Sequence, residues 1–312
     1  MAKVVTFTPN PALDIATAVD EIVPTHKLRC GPVRRDPGGG GINVARVVHR
    51  LGGEAIAVYA CGGGAGNELC DLLDREGLRH RPVRIAAHTR ESFNVTEESS
   101  ARQFRFVLPG EPLSEGECNA CIAAALSLLA AGDFFVASGS LPPGVADDFY
   151  ARAVRAAKAA GAKTVVDTQG PPLRAVLAEG VDILKASARE LATYLGAMPA
   201  DLPGWRVALA DLIRAKTVST VIVTLGEGGA LSVSPKTAWH ASVPHVEGST
   251  TVGAGDSFLG GLLVKLAAGA PDDVALRYAA AAGTAALLTS GTGLCAPAEV
   301  ERLSAKVELT AL

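Results

Sequence analysis

The chain of 312 residues carries 29 basic and 32 acidic side chains, a net charge of −3, and has no Lys/Arg run, so nucleic acid is not an expected partner. Hydrophobic residues make up 48%, but they are mostly Ala, Val and Leu in short runs broken by Gly, Asp or Arg; no stretch reaches the roughly 18 to 20 apolar residues of a membrane span. The length suffices to bury a full core, and the start Met1-Ala2-Lys3-Val4-Val5-Thr6-Phe7-Thr8 reads as a buried strand without a leader's charged and apolar regions, which points to the cytoplasm.

In chain order, strand-like apolar runs at 4–8, 56–61, 134–138, 164–167, 183–185 and 221–224 alternate with helical patterns at about 41–52, 66–76, 115–131, 146–160, 188–196 and 206–216. The alternation predicts right-handed β-α-β crossovers and a three-layer α/β/α core with a mainly parallel sheet. After the turn Gly226-Glu227-Gly228-Gly229, the runs 230–234 and 238–243 predict an antiparallel pair, followed by helices near 254–268, 272–288 and 297–306. Segments 12–36 and 86–108 hold short alternating pieces such as Gln103-Phe104-Arg105-Phe106-Val107 and no long helical pattern. They predict a small sheet protruding as a lid from one domain spanning 1–312, its second face needing cover, for example from a second subunit. Cys118 and Cys121 have C-x-x-C spacing, but with no second pair and no nearby His they read as small core residues.

Chemistry concentrates where glycines follow strand-like runs. Thr251-Val252-Gly253-Ala254-Gly255-Asp256-Ser257 leads into the apolar segment 258–268. Two glycines allow a tight turn, so the first amides of the next helix point at one spot and, with the helix dipole, favour an anion. Asp256 in that turn can take a proton from an alcohol while the amides hold the phosphoryl group being attacked; its plainer role is a helix cap. Asp14 leaves the first strand through Pro9 and Pro11 and emerges near the strand carboxyl ends, where sugar hydroxyls would suit it. Gly38-Gly39-Gly40-Gly41 opens a helix and suggests close approach of backbone to ligand, with Asn43 adding a hydrogen bond. A dinucleotide cradle fails there, since Asn43 stands where a third glycine would be, and Gly62-Gly63-Gly64-Ala65-Gly66 fails likewise and reads as a strand-to-helix turn.

Ser138-Gly139-Ser140-Leu141-Pro142-Pro143-Gly144 supplies small groups at the same sheet edge. Lys185 ends a strand and Glu190 follows on a helix; they can meet nucleotide phosphates and hydrated Mg²⁺, or form an ordinary solvated pair. Thr224, Gly226 and Gly229 form another Gly-rich strand exit where a nucleotide could lie against backbone. The P-loop, protein-kinase, G-x-S-x-G and H-E-x-x-H patterns are absent.

Taken in order, N-P-A-L-D at 10–14, G-G-G-G-I-N-V-A-R at 38–46, S-G-S-L-P-P-G at 138–144 and T-V-G-A-G-D-S at 251–257 resemble the ribokinase-like PfkB carbohydrate kinases over nearly the whole chain, within the branch that acts on phosphorylated ketohexoses. Relatives specific for fructose 1-phosphate or tagatose 6-phosphate usually carry Lys where this chain has Gly40, whereas minor-type bacterial 6-phosphofructokinases carry Gly. The resemblance therefore implies ATP-dependent phosphorylation of fructose 6-phosphate at its C1 hydroxyl, with the neighbouring 1-phosphofructokinase and tagatose-6-phosphate kinase activities as alternatives and a non-catalytic sugar-phosphate sensor as a remote one. It implies Asp256 as base and Gly253, Ala254 and Gly255 as anion hole. Asp14, Gly38, Gly39, Asn43, Ser138 and Gly139 would lie along the sugar, and Lys27 and Arg90 on its phosphate. Lys185, Ser187, Glu190, Thr224, Gly226, Gly229 and Thr284 would hold ATP, with Mg²⁺ on Glu190 through water. Thr250, Val252, Ala286, Thr289 and Gly291 would form a K⁺ site, and two lids would join a homodimer. One departure stands out: the family usually reads N-x-x-E where this chain has Ser187-Ala188-Arg189-Glu190.

Overall fold

The computed structural model describes residues 2–247, 252–289 and 293–312. The chain runs β1 (Val4–Thr8), β2 (Ala12–Val19), β3 (Arg34–Gly38), α1 (Gly40–Arg50), β4 (Ala55–Cys61), α2 (Gly63–Arg75), β5 (His80–Arg84), β6 (Arg90–Glu97) and β7 (Gln103–Val107). It continues through α3 (Glu115–Leu126), β8 (Phe134–Ser138), α4 (Phe149–Ala159), β9 (Lys163–Asp167), α5 (Gly170–Ala178), β10 (Val181–Ser187), α6 (Ala188–Leu195), α7 (Leu202–Arg214) and β11 (Val218–Thr224). The last third holds β12 (Ala230–Val233), β13 (Ala238–Ser242), α8 (Ala254–Ala267), α9 (Asp272–Ala286), α10 (Pro297–Ser304) and β14 (Glu308–Ala311).

A ten-stranded sheet has the order β14-β13-β12-β11-β10-β9-β8-β1-β4-β5 and is parallel from β5 to β11, antiparallel from β11 to β14. Alternate residues of one strand feed opposite cores, as the two-residue period of a strand dictates. Phe134 and Val136 of β8 pack with α1, α2 and α8 to α10, whereas Phe135 and Ala137 pack with α3 to α7. The result is the expected three-layer core. A separate four-stranded sheet, β3-β2-β6-β7, is built from the two segments that fit no β-α-β unit. Its central pair β2 and β6 is parallel, with Asp14 beside Ser92 and Ala12 beside Arg90.

Four elements depart from expectation. The helix α5 was not expected between the strands at 164–167 and 183–185; Pro171 and Pro172 sit in its first turn, where proline's missing N–H costs nothing. The edge strands β5 and β14 carry too many charged or exposed residues for an apolar pattern, and Pro82 is tolerated in β5 because that strand is terminal in the sheet. Helix α3 ends at Leu126, short of 131, because Leu128 and Leu129 donate to Ala125 and Leu126 in tighter turns. Cys118 and Cys121 are buried free thiols, as expected of core residues.

Helix α8 is apolar around most of its circumference and is correspondingly enclosed, its residues Phe258 to Val264 all buried. Gly260 and Gly261 set how closely its neighbours approach: a Cβ on Gly260 would come within 2.5 Å of Val47 on α1, and one on Gly261 within 2.7 Å of Ala282 on α9. This tight α1–α8 contact brings the first turns of both helices together at the carboxyl ends of the parallel strands.

Candidate active site

The glycine run 38–41 lies flat on those strand ends. Gly39, with φ 114°, takes a conformation that suits glycine, and the next amides open α1. A Cβ on Gly40 would stand 2.4 Å from Ser138 Oγ and one on Gly41 2.4 Å from Thr8 Oγ1, so backbone, not side chain, forms this surface. Ser138, the last residue of β8, is buried, and Gly139 beside it has φ 104°. Tyr150 and Thr168 donate to the Gly139 carbonyl at 3.2 and 2.9 Å, which fixes the 138–140 turn from below.

Gly253 caps α8 with φ 75°, so Ala254, Gly255 and Asp256 form its first turn, with their amides directed out of the helix end. Asn43, 213 positions earlier, donates its side-chain amide to Asp256 Oδ2 at 2.9 Å. Burial pushes the Asp256 carboxyl up to about 6; the Asp167 charge adds to that, while the Asn43 hydrogen bond and Lys185 oppose it. The carboxylate is thereby a better proton acceptor than a solvated aspartate, yet still ionised near neutral pH.

Lys185 does not stand in a solvated pair with Glu190. It is almost wholly buried and donates to Asp167 Oδ2 at 2.9 Å, at the end of the neighbouring strand β9. Burial works against its ammonium, but Asp167, with Asp256 and Glu190, holds its pKa above the ordinary lysine value. A Cβ on Gly255 would lie 2.9 Å from Lys185 Nζ, which places the ammonium against the α8 turn. Asp167 was missed from sequence; its place at a strand's carboxyl end, like that of Lys185, was the available signal.

Ser187 and Glu190 form a capping box on α6: Ser187 accepts from the Glu190 amide, and Glu190 Oε2 accepts from the Ser187 amide and hydroxyl, both at 2.7 Å. Serine is thus used here as a helix cap that steers one glutamate oxygen. A cavity of about 500 Å³ lies between the β11 exit and the α8 and α9 helices, lined by Thr224, Gly226, Gly229, Gly255 and Thr284 among others. Four of the residues expected on the nucleotide therefore share one wall-to-wall space, whereas Lys185 belongs to the α8 turn and Ser187 and Glu190 to the neighbouring α6 start.

Above this floor stands the small sheet. Asp14 is pushed up to about 6 by burial, against the pull of Arg105 and Arg90 and with some help from Asp36. A Cβ on Gly38 would meet the Asp14 carboxylate at 2.4 Å, so that glycine makes room for it. Arg90 donates to the carbonyls of Leu108 and Asn10 at 3.2 and 3.4 Å, and its Nε is buried without a hydrogen bond. Lys27 is exposed on the connection between β2 and β3, with no hydrogen bond or ion pair among the described residues; the single chain does not tie it to the site. Of the expected cation site, Thr250 and Gly291 lie outside the described residues, as does Thr251 of the motif. Val252 sits in the turn before α8, and Thr289 donates to the Ala286 carbonyl at 2.8 Å just past α9. Among the described residues no cluster of three or more His, Cys, Asp or Glu side chains could hold a metal ion, and no helix is long and apolar enough to cross a membrane.

A phosphoryl-sized anion cradle, a buried carboxylate in it, a lysine beside it and a nucleotide-sized cavity next door define a small-molecule phosphotransferase site. The chain matches the model of the pfkB family carbohydrate kinases over residues 9–299 and belongs to that family. It is 43% identical over 300 residues to ATP-dependent 6-phosphofructokinase isozyme 2 of Mycobacterium tuberculosis, covering 96% of this chain and 88% of that one. To the isozyme 2 of Escherichia coli K12 it is 37% identical over 306 residues, covering 98% and 99%. Solved structures of E. coli phosphofructokinase-2 superpose closely, each covering 98% of this chain and 99% of the other: one in complex with fructose-6-phosphate (TM-score 0.93, 35% identity) and one in complex with potassium (TM-score 0.94, 36% identity).

Proposed function

We propose that the chain transfers the γ-phosphoryl group of ATP to the C1 hydroxyl of fructose 6-phosphate. The observation that carries this reading is the Asp256 carboxylate, enclosed in the first turn of α8 with the Asn43 amide on one oxygen. Asp256 takes the proton of the attacking hydroxyl, and the amides of Gly253, Ala254 and Gly255 hold the equatorial oxygens of the group in flight. Such a transfer has a loose transition state, so positioning and charge stabilisation contribute most of the rate, and a base poised near 6 suffices. Lys185, kept charged by Asp167, faces the same oxygens.

Asp14, Gly38, Gly39, Asn43, Ser138 and Gly139 line the sugar, and Arg90 with Lys27 takes its phosphate, the unpartnered Arg90 Nε being supporting evidence. ATP occupies the cavity bounded by Thr224, Gly226, Gly229 and Thr284. Glu190, oriented by Ser187, would hold Mg²⁺ through water, and the ion would supply neutralisation of the transferring phosphates. K⁺ is assigned to the Thr250, Val252, Ala286, Thr289 and Gly291 region. The whole of 1–312 is one kinase domain, with 12–36 and 86–108 as its inserted lid. Phe106, Val107 and Leu108, at 52%, 60% and 43% exposure, leave an apolar edge on the lid that a second copy would cover in a homodimer. Six free thiols fit a reducing cytoplasm.

ADP production from MgATP with K⁺ present, measured separately on fructose 6-phosphate, fructose 1-phosphate and tagatose 6-phosphate, tests the assignment. The highest kcat/KM is expected on fructose 6-phosphate. A preference for another sugar phosphate would transfer the chain to that activity, and binding without turnover on all three would make it a sensor.

A further inference from the structure

Asn43 can donate to Asp256 only if its amide is the right way round, and one side chain settles that. Arg46, one helical turn later on α1, is only 3% exposed and donates from Nη1 both to Asn43 Oδ1 at 3.3 Å and to the Pro37 carbonyl at 3.0 Å. With Oδ1 turned to the guanidinium, the Asn43 NH₂ must face Asp256. Arg46 is itself held by Glu76 at the end of α2, through Nε at 2.9 and 3.1 Å and Nη2 at 2.5 Å. The same guanidinium thus grips the chain just before the glycine run and the amide that touches the carboxylate.

We propose that Arg46, fixed by Glu76, is a positioning residue that sets the orientation of Asn43 and through it the readiness of Asp256 to accept a proton. The proposal rests on the reading of Asp256 as the base. Arg46 touches neither the Asp256 carboxylate nor the nucleotide cavity, so its direct route to Asp256 is the Asn43 amide, beside its hold on the Pro37 carbonyl and a longer-range pull on Asp14. The other charged groups around Asp256 come from separate elements: Asp167 from β9, Lys185 from β10 and Asp14 from β2. The contributions of Asp167 and Lys185 stay in place when Arg46 is changed, whereas Arg46 also lowers the Asp14 carboxyl; in an Asn43→Ala background Arg46→Met should therefore add little further shift if the amide carries the effect. Losing a donor to the charged form disfavours the carboxylate and moves its titration upward.

Two readouts on Arg46→Met and Glu76→Gln test this. In the pH profile of kcat on the best sugar phosphate, Arg46→Met is expected to move the acid limb up by about one pH unit and so to lower kcat up to about tenfold below that limb, with KM within about threefold, the size expected for one hydrogen bond to a charged group. Glu76→Gln, which leaves Arg46 able to reach Asn43, should show a smaller shift in the same direction. Carboxyl ¹³C NMR of the free protein, with the Asp256 signal assigned from Asp256→Asn, should show the same upward shift without any substrate. Both variants losing thermal stability while limb and ¹³C titration stay at wild-type values would overturn the relay. Because the NMR arm needs no turnover, a wild-type protein inactive on every sugar phosphate would count against the proposed function while the titration still decided the relay.

Discussion

The floor of the site and the part of the small sheet that faces it, around Arg90, treat buried cations differently, although Glu97 further along that sheet is met by Ile22, Ser100 and Arg102. On the floor, Asp256 has the Asn43 amide, Lys185 has Asp167, and Arg46 has Glu76 and two oxygens besides, so most of the charged hydrogen-bonding capacity is met within the chain. On the small sheet, Arg90 keeps a buried Nε without an acceptor, Asn94 is 5% exposed with neither amide atom hydrogen-bonded, and Phe106 to Leu108 face outward. Unmet buried groups cost stability unless something arrives to satisfy them. The difference teaches that the charged groups of the floor are organised by the chain itself, as charge stabilisation in catalysis requires, whereas Arg90 on the roof keeps a donor that the chain does not use.

The hardest blow to this contrast comes from Asp256→Asn. Turnover should fall by about 10²- to 10⁴-fold or more with sugar-phosphate affinity, measured by calorimetry, little changed. Near-wild-type turnover would leave the floor with no base and remove the contrast's chemical meaning.

The same variant should be more stable than the parent at neutral pH, by on the order of 2 to 3 kcal/mol, because a carboxylate raised from 3.8 to about 6 must be ionised in the fold against its preference. The unfolded chain gives up this proton first, so native stability is lost as pH rises from about 4 to about 6. The gap between the two proteins in urea unfolding should therefore be full above about pH 6 and close as pH falls towards 4. A gap that widened towards acid would show Asp256 to be stabilised by its surroundings rather than strained.

On the roof, Arg90→Met should raise KM for the sugar phosphate about 10- to 100-fold and change KM for ATP little, since a charge-assisted contact to a ligand is lost and a buried unmet donor disappears. Steady-state kinetics in both substrates checks this, and equal effects on both would place Arg90 outside the sugar subsite. The smallest effect on the isolated fold is expected of Phe106→Glu. Sedimentation should show a shift from dimer to monomer with thermal stability per chain nearly unchanged; an unaltered sedimentation coefficient would remove the lid edge from the interface.

Much of the fold was legible because each local pattern had one good solution. Apolar runs of three to six residues between helical patterns dictated buried parallel strands, and what escaped was either edge strand, where exposure erases the pattern, or α5, whose two prolines are acceptable only in a first turn. The site was legible to the same extent. Glycines at strand exits and Asp256 in a helix's first turn announce themselves locally, since positive φ and unpaired amides are properties of a few consecutive residues.

Partnerships across the chain were not legible. Lys185 lies close to Glu190 in sequence, yet its hydrogen bond goes to Asp167, 18 residues away on the adjacent strand. Nothing local in the sequence singles out Arg46 or Glu76; only the tertiary fold makes them a line that runs through Asn43 to Asp256. Sequence alone determined which backbone segments could bend, cap and expose amides, because those preferences are set by side chains a few bonds away. Tertiary structure alone decided which charges meet and how far burial moves them, because both depend on neighbours that strand order and helix packing bring in from up to 213 residues away.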